Sequence, residues 1–321
     1  MLNDLAPLLK QLPPSTASAL TAAIGKCGKE LGMGPDWVQR WIAFTVVADG
    51  LASYAPTGEP AFEFKGGAAI EMRLRHLQAA GAAEAAATAD SAVRAQRPRA
   101  TKDLDATFRG ALDELEAAVR AALAAPRYRF GFRVEVETPD APHMRRFRVR
   151  VFYRTERFGG VQETSLTSVK LEISPYEGTH RAPEMVPAFS LRPFGFEGPE
   201  TLPCIPLTKQ IAQKLHAVTE RPEEGKTNDR FRDLLDIVLL SAFVPPSAAL
   251  REVCEETFHL RRKHPWPPEI VSYPHWTEPM EARAREMGLD QAAAHEIVEH
   301  VAHYVRRVAN AEPVVPVATE L

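Results

Sequence analysis

The chain is poor in cysteine, in long apolar runs and in excess charge. Only three cysteines, Cys27, Cys204 and Cys254, occur among 321 residues. They are odd in number, far apart and in no metal-ligand spacing. No disulfide framework or cysteine metal site is therefore expected, and a reducing cytoplasm suits the chain. No stretch of about 18 apolar residues occurs, so no membrane-spanning helix is expected. The opening segment MLNDLAPLLKQLPP carries an acid early and no long apolar core, so it does not read as a secretory signal. A formal net charge of −3 excludes a polycation that coats nucleic acid and leaves only local basic surfaces. There is no internal repeat.

What is present reads as a soluble globular composition, with 45% hydrophobic and 25% charged residues. The length fits one large domain or two smaller ones. Residues 1–54 read as helices: Leu2, Leu5, Leu8, Leu9 and Leu12 recur near helical spacing, and PDWVQRWIAFTVVADGLASY places Trp37, Trp41, Ile42 and Val46 on one side. PTGEP is a turn, AFEFK a short strand, and a helix follows Gly67. Residues 79–92 are alanine-rich and read as an exposed helical extension or mobile excursion. DLDATF reads as a strand and residues 111–125 as an amphipathic helix. A period of two then marks RYRFGFRVEVE, RRFRVRVFYR and SLTSVKLEIS as strands. Residues 175–206 hold many prolines and little periodicity. Four helical segments follow from 207 onward. The expected class is α+β: N-terminal helices and a mixed sheet core over 1–206, then a helical domain over 207–321.

Chemistry-bearing residues fall within this outline in a definite order. Asp103 and Asp105 flank Leu104, and on a strand i and i+2 share a face. Two close carboxylates repel, and a proton or a cation relieves the repulsion. Such hard oxygen ligands suit Mg2+ completed by substrate phosphates, although an isolated D-x-D is more often a polar strand end. Gly66-Gly67 opens a helix just before this strand. A glycine turn at a helix N-terminus is either a phosphate cradle or a plain tight turn. In VKLEIS, Lys170, Glu172 and Ser174 face away from Val169, Leu171 and Ile173, so Glu172 is either a third acid or an exposed side chain. Lys214 lies on a later helix. Asp233 and Asp236, three apart, are neighbours on the next one.

The ordered set FEFKGGAAIEMRLR, RPRATKDLDATF, VKLEIS, KQIAQKLHAV and RFRDLLDIVLL resembles the AbiEii nucleotidyltransferase family, toxins of type IV toxin–antitoxin systems, from about residue 60 to 242. The resemblance implies a DNA polymerase β-like nucleotidyltransferase core, an NTP donor and Mg2+ or Mn2+ as cofactor. The implied activity is transfer of NMP to an acceptor hydroxyl of RNA, the tRNA 3′ end in some members. It also implies a cytoplasmic protein with an antitoxin encoded nearby. Carried over by residue, Lys65, Gly66, Gly67, Arg99, Thr101 and Lys214 would bind the nucleotide. Asp103, Asp105 and Glu172 would hold metal. Lys214, Asp233 and Asp236 would complete the catalytic set, with either aspartate the acting one. The chain departs from the pattern at Ala68, near where a hydroxyl often stands, and in the long alanine-rich interval between the glycines and Asp103. Two other functions remain compatible: a catalytically silent module of the same fold that binds RNA or a protein partner, and a metal-dependent hydrolase built on the same acids.

Other motifs carry less. GKT at 225–227 lacks the upstream P-loop glycine and the preceding strand. His295, Glu299 and His303 read as a charged helix face. Arg146, Arg148 and Arg150 form a basic strand face that Glu135 and Glu137 could neutralise, and HLRRKH (259–264) is a second basic cluster.

Overall fold

The computed structural model describes residues 12–84, 101–138, 143–157, 159–179, 181–288 and 293–312. These form two compact units. Of the described residues, the first draws on 12–84, 101–138, 143–157, 159–176 and 183–205, the second on 177–179, 181–182, 206–288 and 293–312.

The first unit is a seven-stranded mixed sheet, as far as the described residues go, with helices packed on it. Its strands are β1 (Phe62–Lys65), β2 (Asp103–Phe108), β3 (Phe130–Glu137), β4 (Arg145–Arg157), β5 (Gly160–Pro175), β6 (Glu184–Pro187) and β7 (Thr201–Cys204), in the order β3-β4-β5-β2-β1-β7-β6. Pairings are antiparallel except β2 with β5 and β1 with β7. The long β4–β5 hairpin follows from alternation. Phe147, Val149 and Val151 on one strand, and Val169, Leu171 and Ile173 on the other, are buried on one face. β6 and β7 lie in the proline-rich stretch that shows no periodicity in sequence. They are four residues each, and Pro187 and Pro203 are tolerated because both strands are short and close to the sheet edge.

Helix α1 (Ala17–Leu31) is capped by the Thr16 hydroxyl, which accepts from Ala19 N at 3.1 Å. Leucines 2–9 lie outside the described residues. Leu12, expected on a helix, sits in a bend and is exposed, because the Pro13-Pro14 pair delays the helix start. Helix α2 (Pro35–Ala52) is buried on every side from Trp41 to Leu51, not on one side as expected. An element that is apolar all round belongs in the interior. Its one interior acid, Asp49, takes an ion pair from Arg127 at 3.0 Å.

Helix α3 (Gly66–Glu84) continues directly from β1. The alanine-rich reading is helical as far as Glu84; residues 85–92 lie outside the described residues. Two buried charges fix this helix. Glu71 accepts from the Trp37 indole at 3.0 Å, tying it to α2. Arg73 donates to the Ile205 carbonyl at 2.6 Å and pairs with Glu184 at 2.8 Å. Burial raises the Glu71 carboxyl above its usual range, and Arg75 and the Trp37 bond oppose that rise. The amphipathic helix expected over 111–125 is shorter, α4 (Leu115–Ala122).

The second unit is helical: α5 (Leu207–Thr219), α6 (Phe231–Ser241), α7 (Ala248–Arg261), α8 (Thr277–Glu286) and α9 (Ala294–Ala309). Helix α8, with Pro279 in its first turn and a run of charges, is invisible to apolar periodicity. Among the described residues no helix is long and apolar enough to cross a membrane. All three cysteines are free and buried, and burial pushes Cys27 up to about 11 and Cys204 up to about 12, so neither thiol is reactive near neutral pH.

His216 on α5 is buried, its ring 4.6 Å from that of His264 and 5.0 Å from that of Phe258. Among the described residues its Nε2 has no hydrogen-bond partner. Burial, then the nearby Arg261 and His264, push it down from 6.5 to about 4. A depressed histidine stabilises the fold above its unfolded pKa, and that stability is lost as pH falls from about 6.5 toward 4. The loss expected is on the order of 3 kcal/mol. Thermal midpoints measured from pH 7.5 to 4.5 should fall steeply below pH 6.5, and His216→Leu should flatten the slope. Equal slopes would remove His216 from the account.

Candidate active site

The expected acids meet on one face of the first unit's sheet. Leu104 is buried, so Asp103 and Asp105 project together to the opposite face and stay partly exposed. The parallel pairing of β2 with β5 sets Asp103 opposite Lys170 and Asp105 opposite Glu172. On the other flank, antiparallel β1 sets Lys65 opposite Asp105. Antiparallel β4 sets Arg146 opposite Glu172. One row of the sheet thus reads Lys65, Asp105, Glu172, Arg146, with charges of both signs side by side.

Gly66 is the hinge of this arrangement. Its φ is +65°, in the left-handed region that favours glycine. A Cβ built there would lie 1.9 Å from Asp105 Oδ2 and 2.7 Å from its Cγ. What approaches the glycine is therefore the Asp105 carboxylate, which packs against bare backbone at the mouth of α3. Ala68, where a hydroxyl often stands in the family pattern, is fully buried.

The cations around the acids were not foreseen as a set. Arg146 reaches Glu172 Oε1 through Nη2 at 2.9 Å and Nε at 3.0 Å. The Lys170 ammonium lies 3.1 Å from the same oxygen and 3.7 Å from Asp103 Oδ1. Its hydrogen bond to Glu172 raises Lys170 above the usual lysine range, against a smaller desolvation effect. Lys65 Nζ donates to Ser174 Oγ at 2.5 Å. Alternation in β4 and β5 signals these faces, but only the register of separate strands says which charges touch. The remaining arginines are neutralised as expected: Arg148 pairs with Glu137 at 2.6 Å and Arg150 with Glu135 at 2.8 Å.

Of the other expected nucleotide contacts, one is described and one is not. Thr101 is buried, and its hydroxyl donates to the Asp103 carbonyl at 3.1 Å, while Arg40 donates to the Thr101 carbonyl at 3.0 Å. It therefore positions the start of β2. Arg99 lies outside the described residues.

In the second unit Lys214, Asp233 and Asp236 come together. The buried ammonium donates to Asp233 Oδ1 at 2.6 Å and Asp236 Oδ2 at 2.7 Å, joining α5 to α6. Asp236 is fully buried, whereas Asp233, in the first turn of α6, keeps an edge to solvent, with Arg230 at 3.8 Å from its second oxygen. His295, Glu299 and His303 are all exposed along α9, a charged face as expected. In HLRRKH, Arg261 pairs with Glu177 at 2.8 Å and Lys263 with Glu220 at 3.5 Å.

Hard oxygen donors of the Asp103–Asp105 pair suit a divalent cation that keeps several waters and takes substrate phosphates as further ligands. Among the described residues, no group of three or more histidine, cysteine, aspartate or glutamate side chains is placed to hold a metal. Glu172 instead serves Arg146 and Lys170.

The profile of a family described as nucleotidyl transferase AbiEii toxin, type IV TA system, matches residues 51–307. Among solved structures the chain is similar to MenT4, a nucleotidyltransferase toxin from Mycobacterium tuberculosis H37Rv. The identity is 17%, the TM-score 0.48, and the match covers 90% of this chain and 97% of that one. No curated protein matches the chain. The chain belongs to the AbiEii family of nucleotidyltransferase toxins.

Two substitutions separate geometry from stability. Gly66→Ala should cost about 1–2 kcal/mol of fold stability for the left-handed backbone, and more for displacing Asp105, whose Cβ would lie 2.9 Å from the added methyl. Because it displaces the Asp105 carboxylate, it should lower nucleotidyl transfer at least about 100-fold. Activity within a few-fold of wild type would show that the approach is incidental. Lys214→Met leaves two carboxylates without their buried ammonium and should destabilise by about 3–5 kcal/mol, read as a lower thermal midpoint. An unchanged midpoint would contradict a structural share in its role.

Proposed function

We propose that the chain transfers NMP from an NTP to an acceptor hydroxyl at the Asp103–Asp105 face, with Mg2+ or Mn2+ bound there. One observation carries the reading: the Asp105 carboxylate rests on the bare backbone of Gly66 at the mouth of α3. That contact joins an acid pair to a helix N-terminus, and such a terminus favours phosphate through its N–H groups and dipole. The backbone of Gly66 and Gly67 holds the triphosphate, with Lys65 beside it. Asp103 and Asp105 hold the metal, and Thr101 keeps the strand in place.

In the reaction the acceptor oxygen bonds to the α-phosphorus as the bond to the β-phosphate oxygen breaks. Pyrophosphate leaves, and the hydroxyl proton passes to a carboxylate of this face. A divalent cation at the pair would stabilise charge on the attacking and leaving oxygens. Within the second unit, Asp233 and Asp236 orient the Lys214 ammonium. Asp233, the less buried of the two, is the one open to ligand. The acceptor is RNA, with the tRNA 3′ end the first to examine, and an antitoxin encoded nearby counters the activity; membership of a toxin–antitoxin family supports the antitoxin.

Purified protein incubated with each labelled NTP, total RNA and Mg2+ should label RNA and release pyrophosphate. Asp105→Asn should lower this by about 1,000-fold or more with an unchanged thermal midpoint. Release of orthophosphate without labelled RNA would replace transfer by hydrolysis.

A further inference from the structure

The corner of the sheet formed by Asp103 and Asp105 on β2 and Lys170 and Glu172 on β5 holds three carboxylates and one ammonium. Three acids on one face would repel each other in the absence of a cation. Lys170 bridges two of them, at 3.1 Å from Glu172 and 3.7 Å from Asp103. It comes from the strand next to the acid pair, and its side chain keeps 38% of its surface in solvent. It can swing away without uncovering a buried charge. Arg146 differs: it reaches the same Glu172 oxygen through two nitrogens, at 12% exposure. A planar guanidinium bonded in this way is a fixed partner, while a lysine ammonium is a mobile point charge.

We infer that Lys170 is a built-in counter-ion that occupies the charge position of the divalent cation in the metal-free protein and is displaced when the metal binds, while Arg146 stays on Glu172. The inference rests on the metal reading of the Asp103–Asp105 pair. Lys170 sets a threshold: metal must compete with an ammonium already in contact with Asp103. It is a positioning residue that keeps the acids in register until the cation arrives.

The test is a titration of the full-length protein with Mn2+, without nucleotide, following free Mn2+ by electron paramagnetic resonance. Lys170→Met should tighten binding by about three- to tenfold, the scale of one or two partly exposed ion pairs. Arg148 is the control. It stands opposite Lys170 on β4 but pairs with Glu137, so Arg148→Met removes a charge from the neighbourhood without removing the bridge and should leave Mn2+ affinity within about twofold. Mn2+ should also raise the thermal midpoint of Lys170→Met more than that of wild type, a readout independent of activity. Equal or weaker Mn2+ binding by Lys170→Met would overturn the inference. Equal tightening by both variants would overturn it too, since a general field would then explain the effect. If wild type binds no Mn2+, or Asp105→Asn binds it equally well, the metal reading fails and the counter-ion role falls with it.

Discussion

The parallel pairing of β2 with β5 is the constraint on which the site depends. It brings Asp105 beside Glu172 and Asp103 beside Lys170, two strands that are far apart in the chain. A slip of one residue would turn Asp103 and Asp105 toward the core and Leu104 outward. Burial of Leu104 on one strand and of Leu171 and Ile173 on the other opposes that slip. The apolar face of the sheet therefore sets the position of the polar one. Once the register is set, the carboxylates are crowded by geometry, and cations from β4 and β5 are drawn onto them.

Gly66 adds a second constraint from the other flank. A side chain there would collide with Asp105, so the turn from β1 into α3 and the acid pair are one object. Glu71 and Arg73 then fix α3 from behind, through Trp37 on α2 and the Ile205 carbonyl. The second unit uses charge differently. Lys214 with Asp233 and Asp236 is a buried cluster in which each member satisfies another. Removing one member leaves uncompensated charge in the interior.

Much of this was legible in the sequence. DLDATF, the β4–β5 alternation and four of the second unit's helices follow from period and turn signals, and the ordered motifs pointed to the family. The edge strands β6 and β7 were not legible, because four residues with a proline carry no period. Nor was α8, where charges and Pro279 obscure the helical face. In the site, alternation placed Glu172 and Lys170 on one face, but strand neighbours separated by a long stretch of chain cannot be read from either segment alone. That is why Arg146 was paired in expectation with Glu135 or Glu137 and stands on Glu172. It is also why the Asp105 carboxylate lying against Gly66 was not foreseen.

The most direct measurement is a crystal structure of the protein with Mn2+ and a non-hydrolysable NTP analogue, with the metal located by anomalous scattering. The account predicts a metal peak at ~2.1 Å from oxygens of Asp103 and Asp105, with the phosphates against the backbone of Gly66 and Gly67. A metal peak elsewhere, or phosphates bound away from the mouth of α3, would contradict it.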